Sequence, residues 1–251
     1  MSNEENNESF ISHLEALRST ILKCLYSVAI VLPFTFFISP KALNWLLDII
    51  LRDNKVTLNY FSPVEVFLIQ IKIAVLIDLI ICFPYIAKQI WNFILPALYE
   101  HEKKFIKSIV LFSSLLFISG VLFCIFFILP LIINFGLSFT TENIQAVLNI
   151  SNIVMLSLWL SIAFGIMFQV PIITMALIKS DFISYETIAS KRPYIIVVLL
   201  IIAGILTPPD VISQLMLAIP TYLLFEAGLL FSKKSKKQLI SPVENENNSL
   251  D

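Results

Sequence analysis

The chain has 251 residues, 58% hydrophobic and 14% charged, with a formal net charge of -1 and a mean hydropathy of +0.88. A water-soluble domain of that length carries about a quarter charged residues and just under half apolar ones, so the excess points to lipid as the solvent. No basic run with interleaved aromatics occurs in the body of the chain, which argues against a nucleic-acid partner.

The first ten residues, MSNEENNESF, are acidic and polar and lack the basic stretch of a cleavable signal peptide. The first span is therefore expected to insert and stay. Just before it, Ser12 and Glu15 have the spacing of a capping box. Uncharged apolar runs then predict spans at about 22–40, 64–88, 108–135, 152–178, 193–206 and 211–231. Their length and lack of alternation predict helices rather than a barrel. The fold class is thus all-α, a six-span membrane domain over 1–232, followed by a basic-then-acidic, Asn-rich tail at 233–251 expected to be disordered.

Six spans put both termini on one side, and the basic residues orient them. Of the seventeen Lys and Arg, only Lys41, Arg52 and Lys55 fall on the far side and Lys72 lies within a span; the other thirteen fall on the terminus side. The positive-inside rule makes that side cytoplasmic in a bacterial inner membrane, or stromal or matrix-facing in an organelle. After span one, KALNWLLDIILR has apolar residues at helical spacing and predicts an amphipathic helix on the membrane or capping the bundle. Spans five and six are short: Tyr194 to Leu206 gives only ~20 Å of helix against a hydrocarbon core of ~30 Å. Prolines at 33, 84, 130, 171 and 220 predict kinked helices and a concave bundle.

Catalytic signals are missing. His13 and His101 have no companion at metal spacing, and Cys24, Cys82 and Cys124 sit apart in apolar stretches, so no metal or other cofactor is expected. There is no Gly-rich phosphate loop, GxSxG or HExxH. What stands out instead is polarity at membrane depth, which is costly. Lys72 is near enough to the outer end of span two to reach the interface. Asp78 is near mid-depth and is expected to face the bundle interior or a wet groove. Gln169 is near mid-depth on span four and reads either as a helix–helix hydrogen bond or as a functional contact. Glu226 is near enough to the inner end to snorkel or pair. On the terminus side Glu15 has its capping-box reading, while Glu100 and Glu102 read either as part of a solvated loop or as a docking site for a cationic peptide, each charge-assisted hydrogen bond contributing ~1.5–3 kcal/mol.

At these residues the chain resembles the TatC family, the membrane subunit of the twin-arginine, Sec-independent protein translocase. QIWNFILPALYEHEKKFI (89–106) resembles the family's first cytoplasmic loop, Q-x-W-x-F-I-x-P-A-L-x-x-x-E-(K/R)-(K/R). FGIMFQVPII (164–173) is similar to its span-four motif F-G-x-x-F-E-x-P. The stretch 192–231, with T-P-P-D-x-x-S-Q and L-F-E, is similar to its spans five and six. FSPVEVF (61–67) and SHLEALR (12–18) resemble the outer loop before span two and the N-terminal H-L-x-E-L-R. The matches run over about 10–232.

The resemblance implies a translocation receptor rather than an enzyme. It would bind twin-arginine signal peptides of folded precursors and, with single-span TatA/TatB-type partners, export them using the proton-motive force. It also implies homo-oligomers within a hetero-oligomeric receptor complex in the lipid bilayer. By position it implies signal-peptide contacts at Glu102, Phe93, Glu15, Arg18 and Leu98, and partner-helix contacts at Gln169, Phe168, Thr207, Pro208, Asp210 and Gln214. Two departures stand out: the H-L-x-E-L-R glutamate falls at Ala16, with Glu15 one place earlier, and the span-four glutamate is Gln169. The rival reading is a proton-coupled secondary transporter using Asp78 and Gln169 at the midplane; missing inverted repeats and missing polar clusters count against it.

Overall fold

The computed structural model describes the backbone at 2–51, 58–94, 103–139, 147–179, 182–207 and 211–247, and the side chains there except at 2–10, 103–106, 231 and 233–247. The described residues are helical nearly throughout. Helix α1 (Ser2–Leu51) leads by a two-residue strand β1 (Leu58–Asn59) into α2 (Pro63–Ile94). The third span is α3 (Lys103–Phe123), a π-helical turn (Cys124–Ile128) and α4 (Leu129–Leu137). Strand β2 (Leu148–Asn149) precedes α5 (Ile150–Met167) and α6 (Val170–Lys179), which form the fourth. Then come α7 (Tyr185–Ser190), α8 (Arg192–Leu206) and α9 (Val211–Asn247). Among the described residues, five stretches are long and apolar enough to cross a bilayer: 11–51, 63–94, 107–137, 150–179 and 211–230. The 15 residues of α8 make the short sixth element, ~22 Å long.

Helix α1 departs most from expectation. It begins at Ser2 and passes through Pro33 and Pro40 to Leu51 without ending. Ser12 and Glu15 therefore lie inside a helix, and the capping-box reading is corrected: there is no helix start for Ser12 to cap. Propagation costs little once a helix is nucleated, and span one extends the polar N-terminal stretch backward. Its last part behaves as the amphipathic pattern predicts. Leu46 and Ile50 are buried, and Trp45 meets Phe126 of the π-helical turn edge to face at 5.8 Å. At the other end of the chain, α9 runs on as helix to Asn247, where the composition predicts a disordered tail.

Proline explains two interruptions. Pro130 has no N–H to donate; just before it the ladder slips a register, and the Leu129 N–H bonds Cys124 O, five residues back. Pro171 leaves Met167 O without its helical donor, and α5 gives way to α6 through a tight turn. There the Gln169 N–H bonds Ile166 O at 2.9 Å while Gln169 O accepts from Ile172 and Ile173.

The core lies where α2, α3 and α5 meet. Phe83 stacks on Phe117 at 3.6 Å, and Val121, Cys124, Val154, Leu160 and Phe164 are buried around them. Glycine permits this approach. A Cβ on Gly165 would stand 2.5 Å from the Phe117 ring, and one on Gly120 would stand 2.7 Å from Phe164 O.

The end away from the termini is closed by polar contacts. β1 and β2 pair in parallel, Leu58 opposite Leu148. Glu65 accepts from the Phe61 N–H at 2.7 Å and from Asn149 Nδ2 at 2.8 Å. Asn149 in turn caps α5, its Oδ1 accepting from the Asn152 N–H. Lys72 reaches this end as expected and donates to Ser151 Oγ at 3.0 Å.

Candidate functional site

At the terminus-side end, α1 and α2 lie side by side with a groove on each flank. One, of about 540 Å³, is lined by His13, Ala16, Ser19, Lys23, Gln89 and Asn92. The other, of about 460 Å³, is apolar and lined by Leu17, Ile21, Leu25, Ile86 and Ile90. Phe93 and Thr20 border both. The Phe93 ring is half-buried and meets His13 edge to face at 6.4 Å. Phe93 thus lies between a polar channel and a greasy one.

Of the other expected signal-peptide residues, Glu15 and Arg18 are exposed on α1, and neither lines either of these two grooves. Ala16 does. One residue along a helix is a rotation of ~100°, so moving the carboxylate from 16 to 15 takes it off the groove wall. Leu98 and Glu102 lie outside the described residues.

The polar groups of span four are used inside the bundle. Gln169 Oε1 accepts from Ser113 Oγ at 2.5 Å, and its Nε2 donates to Ser113 O at 3.1 Å and Gly165 O at 3.4 Å. That is a helix–helix bridge from the α5–α6 turn to α3. The sequence signal for its partner is Ser113-Ser114, a polar pair in an otherwise apolar run. Phe168, expected at a partner contact, is buried at 8% exposure and packs on Phe123 at 5.8 Å. In this structure it is core rather than contact surface. Asp78 is fully buried, as expected for an interior-facing group; one oxygen accepts from Cys82 Sγ at 3.3 Å and Oδ2 has no hydrogen-bond partner.

The short hairpin is held at both ends. Thr207 closes α8, its N–H and its hydroxyl both bonding Ala203 O at 2.9 Å. Gln214 crosses from α9 to donate to Leu200 O at 2.9 Å. It lies over Gly204, where a Cβ would come within 2.9 Å of its Nε2. Pro208 and Asp210 lie outside the described residues. At the other end Arg192 Nη2 donates to Glu226 Oε2 at 3.1 Å, its Nε lies 2.7 Å from Oε1 as an ion-pair contact without hydrogen-bond geometry, and Tyr222 donates to the same carboxylate at 2.9 Å. The expected pairing of Glu226 is realised, with Arg192 as its partner. Among the described residues no cluster of three His, Cys, Asp or Glu has the arrangement to hold a metal ion.

Residues 12–220 match the family model of the Sec-independent protein translocase protein TatC. The chain is 35% identical over 238 residues to the Sec-independent protein translocase protein TatC of Haemophilus influenzae, covering 93% of this chain and 92% of that protein. It is 36% identical over 233 residues to TatC of Aquifex aeolicus, covering 90% and 97%. The fold superposes on a crystal structure of the twin-arginine translocase receptor TatC in DDM with a TM-score of 0.79 and 36% identity, over 88% of this chain and 99% of that one. A polytopic helical bundle with these motifs, relatives and superposition has one assignment: the chain belongs to the TatC family of Sec-independent protein translocase proteins.

Proposed function

We propose that the chain is the signal-peptide receptor of a twin-arginine translocase, with both termini in the cytoplasm of a bacterium. The observation that carries this reading is the position of Phe93 between a polar and an apolar groove at the terminus-side end. A twin-arginine signal peptide has those two characters in sequence: a cationic head and an apolar stretch. The apolar stretch suits the walls of Leu17, Ile21 and Ile90. The arginines need carboxylates, and by its match to the family motif Glu102 supplies one, with Leu98 beside it; Glu15 and Arg18 act from the exposed face of α1. The polar groove's own ionisable groups, His13 and Lys23, are basic. They leave the arginine contact to Glu102 and set the register of the apolar stretch.

TatA/TatB-type single-span partners then dock along spans four to six, around the hairpin with Thr207, Pro208, Asp210 and Gln214, and the proton-motive force drives export. Position 169 works as an uncharged polar contact. It does not titrate, and an acidic residue there is not needed for transport by this chain. Copies of the chain assemble within a hetero-oligomeric receptor complex, and no nucleic acid takes part.

The experiment is crosslinking from a probe beside Glu102 to a peptide bearing paired arginines, with a paired-lysine control. Preferential capture of the arginine peptide, lost in Glu102→Gln while membrane insertion persists, is the expected result. Equal capture of both peptides reduces the site to general charge attraction. No capture of either removes the receptor reading.

A further inference from the structure

A third groove opens at the same end of the bundle, between α2 and α3, with a volume of about 680 Å³. Its mouth carries Lys88 and Asn92 from α2 and Lys107 from α3, all exposed. Its walls are Pro84, Leu111, Leu115 and Ile118. Ser114 adds little polarity, because its hydroxyl is turned back onto Val110 O at 2.7 Å. Among the described residues neither lysine has an ion-pair partner; the one ion pair there is Arg192–Glu226.

We propose that this groove holds one anionic phospholipid of the terminus-side leaflet, its phosphate between Lys88 and Lys107 and an acyl chain along Leu111, Leu115 and Ile118. Two features select that occupant. From Lys107 to Ile118 the groove follows ~16 Å of helix, about half of a ~30 Å hydrocarbon core, which is the depth of one leaflet. Its charge is confined to the end where a headgroup lies, and a basic pocket between spanning helices at the headgroup level suits an anionic lipid. The inference rests on the chain spanning a bilayer and not on its binding a signal peptide.

The test uses the purified full-length protein and native mass spectrometry, with phosphatidylglycerol and phosphatidylcholine added in equal amount. At about one factor of five per lysine near the headgroup, wild type prefers phosphatidylglycerol by about thirtyfold. Lys88→Gln with Lys107→Gln brings the two lipids within about twofold, and Lys88→Arg with Lys107→Arg keeps the preference. An unchanged preference in the Gln pair overturns the proposal. So does displacement of phosphatidylglycerol by millimolar inorganic phosphate, which makes the groove a free-anion site. Displacement by a paired-arginine peptide overturns it as well and gives the groove to the precursor. Loss of peptide crosslinking at Glu102 leaves the lipid preference untouched, so the two readings fail separately.

Discussion

Spans one and four are both strongly apolar, yet the structure uses them in opposite ways. Almost none of the apolar window of α1 is buried inside the protein, whereas more than half of that of α5–α6 is. Side-chain size tells them apart. The central span brings Ser157, Ser161, Ala163 and Gly165 to its buried face, and small residues let backbones approach where no hydrophobic force drives helices together in lipid. Span one presents Leu25, Tyr26, Ile30, Phe34 and Phe37 outward, each more than half exposed. One span is the keystone of the bundle; the other is a wall whose outer face is left to lipid or to partners.

A change that breaks the keystone severely is Gly165→Leu. The new side chain meets Phe117 at a distance no carbon tolerates, and the neighbour is a ring stacked on Phe83 with nowhere to go. Overpacking of this kind costs ~3 kcal/mol, read as a marked fall in Tm in detergent and poor recovery of folded protein. The next largest effect falls on the wall. Ala16→Glu returns a carboxylate to the groove beside Phe93 and is expected to tighten capture of a paired-arginine peptide about tenfold. Glu15→Gln, on the exposed face of α1 and off the groove wall, should weaken it by only about twofold. A binding titration with the labelled peptide checks both. Below that comes Gln169→Leu, which removes the bridge to Ser113. Polar bridges within membranes average under ~1 kcal/mol, so Tm should fall slightly while insertion is unchanged.

Much of this arrangement is written in residue order. The six apolar runs, the amphipathic helix after span one, the inward Asp78, the outward reach of Lys72 and the pairing of Glu226 follow from where charge is affordable in lipid. What the sequence leaves open is which polar group meets which. Glu65 and Asn149, or Gln169 and Ser113, are separated by 84 and 56 residues, and their pairing depends on how the helices are arranged rather than on local pattern. The end of span one is also misjudged, because the uncharged run stops at Lys41 while the helix does not. Pro40 lies inside α1, since lipid offers the freed backbone no better partner, while Pro130 is absorbed by a π-helical turn. Of the candidate site, Phe93 and the displaced carboxylate at 15 are visible as motif positions. That Ala16 and not Glu15 faces the groove needs the phase of α1, which comes from its packing on α2.

The smallest expected effect is the sharpest test of the contrast between the two spans. Phe34 is 68% exposed on α1, and Phe164 on α5 is fully buried. In a soluble protein each Phe→Ala would be judged by the apolar area it returns to water. Here the outer face of α1 meets acyl chains or detergent tails, which are as apolar as the ring they touch, so truncation there gains no hydration and leaves no cavity. Phe34→Ala is therefore expected to leave stability within ~0.5 kcal/mol of wild type, whereas Phe164→Ala costs ~3–5 kcal/mol through the cavity it opens between α3 and α5. Thermal unfolding of the monomeric fraction in detergent measures both. A large loss for Phe34→Ala in that fraction would mean that α1 packs against protein after all, and the division between keystone and wall would fall with it.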